Sequence, residues 1–202
     1  MYRDTAGKMT VGVGLMLPDP SAACALPFLY GAEPASQFQI SAEFVRVHAL
    51  PPGHLPAFYK TPGSPELSQQ TIDAKLSSVL TGFETTLRAR LPGYNGFPEG
   101  VKLALLDMAY NLGPSGLLDG YPHMIHAIET GEWGQAAAQC IRQGIGEERN
   151  VWTRRQLLSA VVESIRAEAA TRLESEAEAI EASSASWFGR FKRALRRLFG
   201  SR

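Results

Sequence analysis

The stretch of this 202-residue chain that decides its fold is YRDTAGKMTVGVG, residues 2–14. Apolar residues alternate with glycine over residues 11–15, which is typical of a half-buried β-strand. The segment TAGK at 5–8 supplies a turn, because glycine next to small polar residues favours tight turns. We therefore predict a β-hairpin over residues 2–17, followed by structure of another kind.

Nine prolines interrupt residues 18–66 and break most regular structure there. One short helix or strand is expected around 41–48. Beyond this irregular segment, leucine, isoleucine and phenylalanine recur at helical spacing and predict an amphipathic helix over 69–91, which Pro92 and Gly93 end.

The rest of the chain predicts a helical bundle. A helix over 101–112 is apolar nearly all round, so it should lie at the centre, and the sequence GPSG at 113–116 should stop it. Shorter helices are expected over 122–130 and 132–143. A last long helix is expected from about residue 150 to about residue 182.

The predicted fold class is α+β, mainly α. We expect a small N-terminal β-hairpin lobe, an irregular proline-rich segment, and a C-terminal helical bundle with an amphipathic terminal helix. The predicted domains are a hairpin and irregular active-site lobe at 1–66, a helical lobe at 67–165, and an acidic helical spacer with a basic tail at 166–202.

Composition narrows the class of protein. The chain can bury the core of one domain, no apolar run approaches the roughly 18 residues that span a membrane, and no secretory signal peptide is visible. We expect a monomer made in the cytoplasm, with no nucleic-acid partner. Cys24 and Cys140 lie far apart and match no metal or redox spacing, which favours two thiols over a long-range disulfide.

The segment 2–14 also carries the pattern Tyr-x-Asp-x-x-Gly-x-x-Thr-x-Gly-x-Gly, which is more specific than its parts. Three further segments extend the pattern into the helical region, namely LLDMAYNLG at 105–113, GEWGQAA at 131–137 and WTRR at 152–155. Together these segments resemble the phage-type lysozymes, glycoside hydrolase family twenty-four. The resemblance runs from Tyr2 to about Ser159 and implies a lysozyme-like fold.

That family hydrolyses the β-1,4 bond between N-acetylmuramic acid and N-acetylglucosamine in peptidoglycan. The resemblance implies that Asp4 is the second catalytic carboxylate and that Thr10 is the hydroxyl that helps to hold the attacking water. Such chemistry needs a carboxylate on one face of the sugar and a protonated acid at the leaving oxygen. Gly12 and Gly14 would keep the strand surface low beneath the sugars. No metal or organic cofactor is implied.

The general acid of the family is a glutamate nine positions before this aspartate, and here that position would precede Met1. We expect that the chain is truncated or that its start was assigned late, because no other acid suits the role. The alternative acids are expected to be solvated surface groups, and they are Glu33, Glu43, Glu66 and Glu99.

Polar residues on the central helix have two interpretations. Asp107 and Asn111 are four apart and share one face, which favours a buried hydrogen-bonded pair that fixes helix packing. The resemblance instead places Tyr110 and Asn111 at the wall of the cleft, in contact with sugar.

Opposite charges separate near the C-terminus. Residues 163–181 hold six glutamates and two arginines, whereas residues 186–202 hold six cations and no acid. Aromatic and aliphatic residues of the basic block fall on one helical face, which is typical of a helix that binds an anionic membrane or lipopolysaccharide. A terminal helix that packs on the bundle is the alternative. The predicted membrane-binding residues are Trp187, Phe188, Phe191, Arg193 and Arg197.

The sequence thus favours a peptidoglycan hydrolase that acts at the bacterial cell wall or periplasm, either a phage endolysin or an antibacterial effector. Two alternatives stay open. The chain could be a peptidoglycan-binding module with impaired catalysis, or a membrane-disrupting protein that acts through its C-terminal helix.

Overall fold

The structure, a computed structural model, describes the backbone of residues 1–199 and the side chains of residues 1–192. It is 67% helix and 6% strand, which confirms the predicted α+β, mainly α, class. The chain divides into two compact units, Met1–Thr85 and Thr86–Arg202. This division falls inside a long helix, whereas the sequence pattern suggests a boundary between residues 66 and 67.

The first unit opens with three short antiparallel strands, β1 (Tyr2–Arg3), β2 (Met9–Val11) and β3 (Leu15–Met16), in the order β1-β2-β3. The predicted single hairpin therefore becomes a three-stranded sheet. A second turn forms because Gly12 and Gly14 take positive φ angles of 60° and 113°, a region that glycine enters without steric cost.

The proline-rich segment contains more helix than its composition predicts. Its elements are α1 (Pro20–Cys24), β4 (Leu29–Tyr30), β5 (Glu33–Pro34), α2 (Gln37–His48) and α3 (Pro56–Tyr59). The expected element around 41–48 is the C-terminal part of α2. That helix begins earlier because Ser36 and Gln39 form a capping box, in which each side chain bonds the other's backbone.

The sheet is fixed to the end of α2 by one arginine and one tyrosine. The guanidinium of Arg3 donates to the carbonyl oxygens of His48 and Leu50, at 3.1 and 2.7 Å. The hydroxyl of the fully buried Tyr59 donates to the carbonyl oxygens of Arg3 and Pro51, at 3.1 and 2.8 Å. These bonds hold the end of β1 in place, and Asp4 follows directly.

A long helix, α4 (Gln69–Arg90), follows the irregular segment and confirms the helix predicted over 69–91. The hydroxyl of Ser68 accepts a hydrogen bond from the backbone N–H of Thr71 at 3.1 Å, so Ser68 acts as the predicted N-cap.

The second unit contains α5 (Glu99–Gly120), α6 (Pro122–Glu129), α7 (Trp133–Gln139) and α8 (Glu147–Phe199). The predicted central helix is confirmed by full burial of Val101, Leu105 and Met108 on α5. The predicted stop is a break, because Gly113 has φ 74° and ψ 155° and the helix resumes at Pro114.

Helix α8 is longer than predicted. It begins at Glu147, not near residue 150, and continues through the acidic and basic blocks to Phe199 instead of ending near residue 182. No helix within residues 1–199 is long and apolar enough to cross a membrane.

At Gly100 the backbone of α5 packs closely against α8. A Cβ atom at this position would overlap the backbone oxygen of Gln156 and the hydroxyl of Ser159. We expect Gly100→Ala to lower the free energy of unfolding by about 1–3 kcal/mol, because the two helices must move apart. Gly134→Ala is the matched control, since nothing lies within 4 Å of its added methyl group and alanine favours the helix. Urea denaturation that gives both variants the same stability would contradict this packing.

Candidate functional sites

The end of β1 and the start of β2 bring Asp4 and Thr10 to the same neighbour. Tyr2 of β1 lies opposite Thr10 of β2. Asp4 directly follows β1, and Asp4 and Thr10 each form a hydrogen bond with Lys8. Their catalytic roles stay predictions.

The backbone of one residue, Lys8, joins Asp4 and Thr10. The Oδ1 atom of Asp4 accepts from the backbone N–H of Lys8 at 2.7 Å, and the hydroxyl of Thr10 donates to the carbonyl oxygen of Lys8 at 3.2 Å. The backbone N–H of Asp4 donates to that same carbonyl oxygen at 3.0 Å. Asp4 is half-buried and Thr10 is 3% exposed, so both side chains have fixed positions.

These bonds determine what each side chain can still do. A hydroxyl has one proton, and since Thr10 donates it to Lys8, its oxygen can only accept from a further group. The carboxylate of Asp4 is also an acceptor and has lone pairs beyond the one that Lys8 uses. Asp4 and Thr10 therefore each keep the capacity to accept a further hydrogen bond.

The structure gives Gly12 and Gly14, the last two glycines of the pattern, a conformational role. Both lie in the β2–β3 turn at positive φ, and a Cβ on Gly12 would lie 3.1 Å from Cγ2 of Ile72 in α4. The turn and this close packing explain glycine at position 12 without a ligand. Contact of Gly12 or Gly14 with sugar stays a prediction.

A cavity of about 420 Å³ opens beside the same sheet. Its lining includes Tyr2 and Gly12 from the sheet, together with Glu43, Lys60 and Glu66 from the irregular segment, while Asp4 and Thr10 do not line it. Lys60 and Glu66 form an ion pair at 2.6 Å. The lining therefore includes Glu43 and Glu66, two of the four acids that we expect from the sequence to be solvated surface groups.

For Glu43 that assignment is wrong. Its side chain is 7% exposed, and Arg46 pairs with it through two bonds of 2.8 Å while also donating to the carbonyl oxygen of Tyr59. Burial raises the pKa of Glu43, but hydrogen bonds from Arg46 and Ser64 outweigh burial and place that pKa below its ordinary value. Glu43 is therefore ionised at neutral pH and does not suit the role of a general acid.

The other predicted contact residues, Tyr110 and Asn111, lie on α5 in the second unit. Burial raises the pKa of Tyr110, which is half-buried. The Oδ1 atom of Asn111 accepts from Nη1 of Arg142 at 2.9 Å. This bond supports the packing interpretation of Asn111, although its partner is an arginine that the sequence pattern does not indicate.

Arg142 is the centre of a buried polar network. Its side chain is 0% exposed and lies 2.8 Å from Oδ2 of Asp107, and it also donates to the hydroxyl of Thr153 at 2.7 Å and to Oδ1 of Asn150 at 3.2 Å. Arg149 pairs with Oδ1 of Asp107 at 2.7 Å. Burial raises the pKa of Asp107, but Thr153, Arg149 and Arg142 together lower it below its ordinary value. The network joins α5 to α8, so its role is structural.

Three predicted membrane-binding side chains are exposed on α8. Trp187, Phe188 and Phe191 are 52%, 56% and 47% exposed, and the Trp187 ring stacks on Phe191 with a centroid distance of 5.2 Å. These exposures do not fit the alternative of a tail that packs on the bundle through its aromatic side chains. The side chains of Arg193 and Arg197 lie outside the described residues.

The remaining chemistry-bearing residues form no further cluster in the described part of the chain. Within that part, no group of three or more histidine, cysteine, aspartate or glutamate side chains could hold a metal ion. Cys24 and Cys140 are both free thiols, and burial raises the pKa of Cys140.

Comparisons with models of protein families, with curated proteins and with solved structures found no match to this chain. The family resemblance consequently depends on the quoted segments alone.

Proposed function

We propose that this chain acts on peptidoglycan as a muramidase of the phage lysozyme type, with Asp4 and Thr10 handling the attacking water. One observation supports the proposal, which is that the backbone of Lys8 holds both side chains, Asp4 through its N–H and Thr10 through its carbonyl oxygen. A turn of the Asp-x-x-Gly type can form without a threonine bonded to it, so turn formation alone does not explain Thr10.

In the proposed reaction, a water molecule donates one proton to the carboxylate of Asp4 and the other to the hydroxyl oxygen of Thr10. The remaining lone pairs of the water then point away from both residues, toward the anomeric carbon of the sugar. As the glycosidic bond breaks and positive charge develops on the sugar, Asp4 removes a proton from the water. Direct attack by water inverts the anomeric configuration.

Departure of the sugar leaving group requires a proton donor, and Glu43 is ionised by its pairing with Arg46. The resemblance places that donor nine positions before Asp4. Under the proposal, Asp4 and Thr10 hold and activate the attacking water. Their contribution can be measured alone with substrates whose leaving group needs no protonation.

Aryl glycosides provide the test because nitrophenolate leaves without protonation. We expect this chain to hydrolyse the nitrophenyl β-glycoside of an N-acetylglucosamine oligosaccharide, with inversion detected by NMR of the first-formed anomer. On purified peptidoglycan, whose leaving group must be protonated, release of reducing ends by this chain should be much slower than hydrolysis of the aryl glycoside. Failure to hydrolyse the aryl glycoside would refute the proposal.

A second candidate function is glycan binding without hydrolysis. The observation that favours it is the pairing of Glu43, an acid in the lining of the cavity beside the sheet, with Arg46 at 2.8 Å, because a carboxylate that is paired with a cation can accept hydrogen bonds but is a poor proton donor. Sedimentation with insoluble peptidoglycan, without release of reducing ends and without aryl glycoside hydrolysis, would identify this function instead.

A further inference from the structure

We propose that the basic end of α8 docks on an anionic phospholipid bilayer through an aromatic face formed by Trp187, Phe188 and Phe191. This inference is independent of the proposed muramidase activity. It assigns a function to a part of α8 in which every residue from 167 to 188 is exposed.

The aromatic face has the width of an interfacial helix. Successive residues on an α-helix are about 100° apart, so the three rings fall within an arc of about 100°. Each ring is about half exposed, and the rings contact each other, with centroid distances of 5.0 Å for Trp187–Phe188 and 5.2 Å for Trp187–Phe191. Tryptophan and phenylalanine are the side chains that favour the boundary between headgroups and acyl chains.

Cations flank this face on both sides. By the same helical geometry, Arg190 lies about 60° from Trp187 on one side, and Lys192 lies about 40° beyond Phe188 on the other. Both side chains are exposed. When the rings enter the bilayer boundary, these two long side chains can extend to the lipid phosphates. The segment 186–202 contains six cations and no acid, so its charge complements an anionic surface.

The upstream part of α8 explains why only this end should dock. The helix is buried at Leu157 and Ala160, and every residue from Ala167 to Phe188 is exposed. At about 1.5 Å per residue, the aromatic face lies about 30 Å along the helix from residue 167. The intervening segment holds most of the acidic block, which an anionic surface repels. The acidic block therefore limits contact to the basic end.

A second copy of the chain is the competing occupant, but it fits the face less well. Two paired helices meet along a narrow seam of residues spaced three and four apart. Trp187 and Phe188 are consecutive and extend the apolar arc beyond such a seam. Parallel pairing would also place the cations of one basic block beside those of the other. A bilayer accommodates both the wide aromatic arc and the uniform charge.

The test is co-sedimentation of the full chain with vesicles of phosphatidylcholine alone or of phosphatidylcholine and phosphatidylglycerol at three to one. We expect at least tenfold tighter binding to the anionic vesicles, weakened by high salt. The triple variant Trp187→Ser, Phe188→Ser, Phe191→Ser should lose most of this binding. The matched control is Leu173→Ser with Ile180→Ser, because both side chains are exposed and apolar on the same helix but lie in the acidic block. This control should bind like the unchanged chain.

Each competing result overturns the proposal. Equal binding to both vesicle types, or unchanged binding by the triple variant, would exclude the aromatic face as an anionic-lipid site. Binding to lipopolysaccharide but not to phosphatidylglycerol vesicles would assign a different anionic ligand. A concentration-dependent dimer that the triple variant abolishes, without vesicle binding, would assign the face to a second copy. Circular dichroism of each variant shows whether the helix is retained. The double variant Arg190→Gln, Lys192→Gln should bind anionic vesicles with a reduced dependence on salt.

Discussion

Replacement of Arg142 by methionine is expected to lower the free energy of unfolding by about 3–5 kcal/mol. Arg142 has no exposed surface and balances the charge of Asp107 at 2.8 Å. Methionine fills much of the same volume but leaves the Asp107 carboxylate, which is only 11% exposed, with one cation fewer. It also removes the donors to Asn111 and Thr153. The large cost comes from leaving the buried Asp107 charge with only the exposed Arg149 as its cation, more than from the lost contacts.

The matched control is Arg149→Met. Arg149 pairs with the same carboxylate at 2.7 Å, but its side chain is 44% exposed, so water and salt screen the pair. We expect this variant to lose about 1 kcal/mol or less. Guanidinium denaturation monitored by circular dichroism measures both variants, and equal losses for the two would contradict a buried network organised by Arg142.

The pH dependence of unfolding provides a second measurement. The pKa of Asp107 is lower in the folded chain than in the unfolded chain. The stability from its ionised form is therefore fully present above the unfolded pKa and is lost as the pH falls through the folded pKa. Arg142→Met removes one of the three groups that lower the folded pKa of Asp107, so that pKa should rise toward the unfolded value and the acid-induced loss of stability should be smaller than in the unchanged chain.

The fold was largely predictable because its elements have local causes. Helix α4 follows from apolar spacing and the Ser68 cap, and the centre of α5 follows from an uninterrupted apolar run. The extent of α8 was not predictable in the same way. The change from acidic to basic residues suggests a boundary near residue 182, but charge does not end a helix, and the segment contains no proline.

The polar sites show where sequence patterns fail. Asp4 and Thr10 were indicated by the family resemblance of residues 2–14, and the structure adds that both bond to the backbone of Lys8. The burial of Arg142 and Glu43 was not predictable, because arginine and glutamate are rarely buried. Arg142 is buried through partners on other elements, and Glu43 is buried with Arg46, one helical turn away. An Arg three residues after Glu43 on a helix was the one local indication of that pair.

Replacement of Asp4 by asparagine should reduce aryl glycoside hydrolysis by a factor of about 10²–10⁴ while leaving the fold intact. The amide oxygen of asparagine can still accept the hydrogen bond from the backbone N–H of Lys8, so the turn retains its geometry. An amide has no basicity at neutral pH, and it cannot remove a proton from water. The loss should appear in kcat with little change in KM, because Asp4 acts on the water and not on the bound sugar.

Asp19→Asn is the matched control for this variant. Asp19 also accepts one backbone N–H, that of Ala22 at 2.8 Å, where it caps α1, and it has no part in the proposed reaction. It should retain activity within about twofold, since asparagine caps a helix as well as aspartate does. Thr10→Val should lose less activity than Asp4→Asn, because Asp4 alone can still accept a proton from the water. Equal activity of Asp4→Asn and Asp19→Asn would show that Asp4 has no part in the chemistry. The hydrogen bonds of Asp4 and Thr10 to Lys8 would then only stabilise the turn.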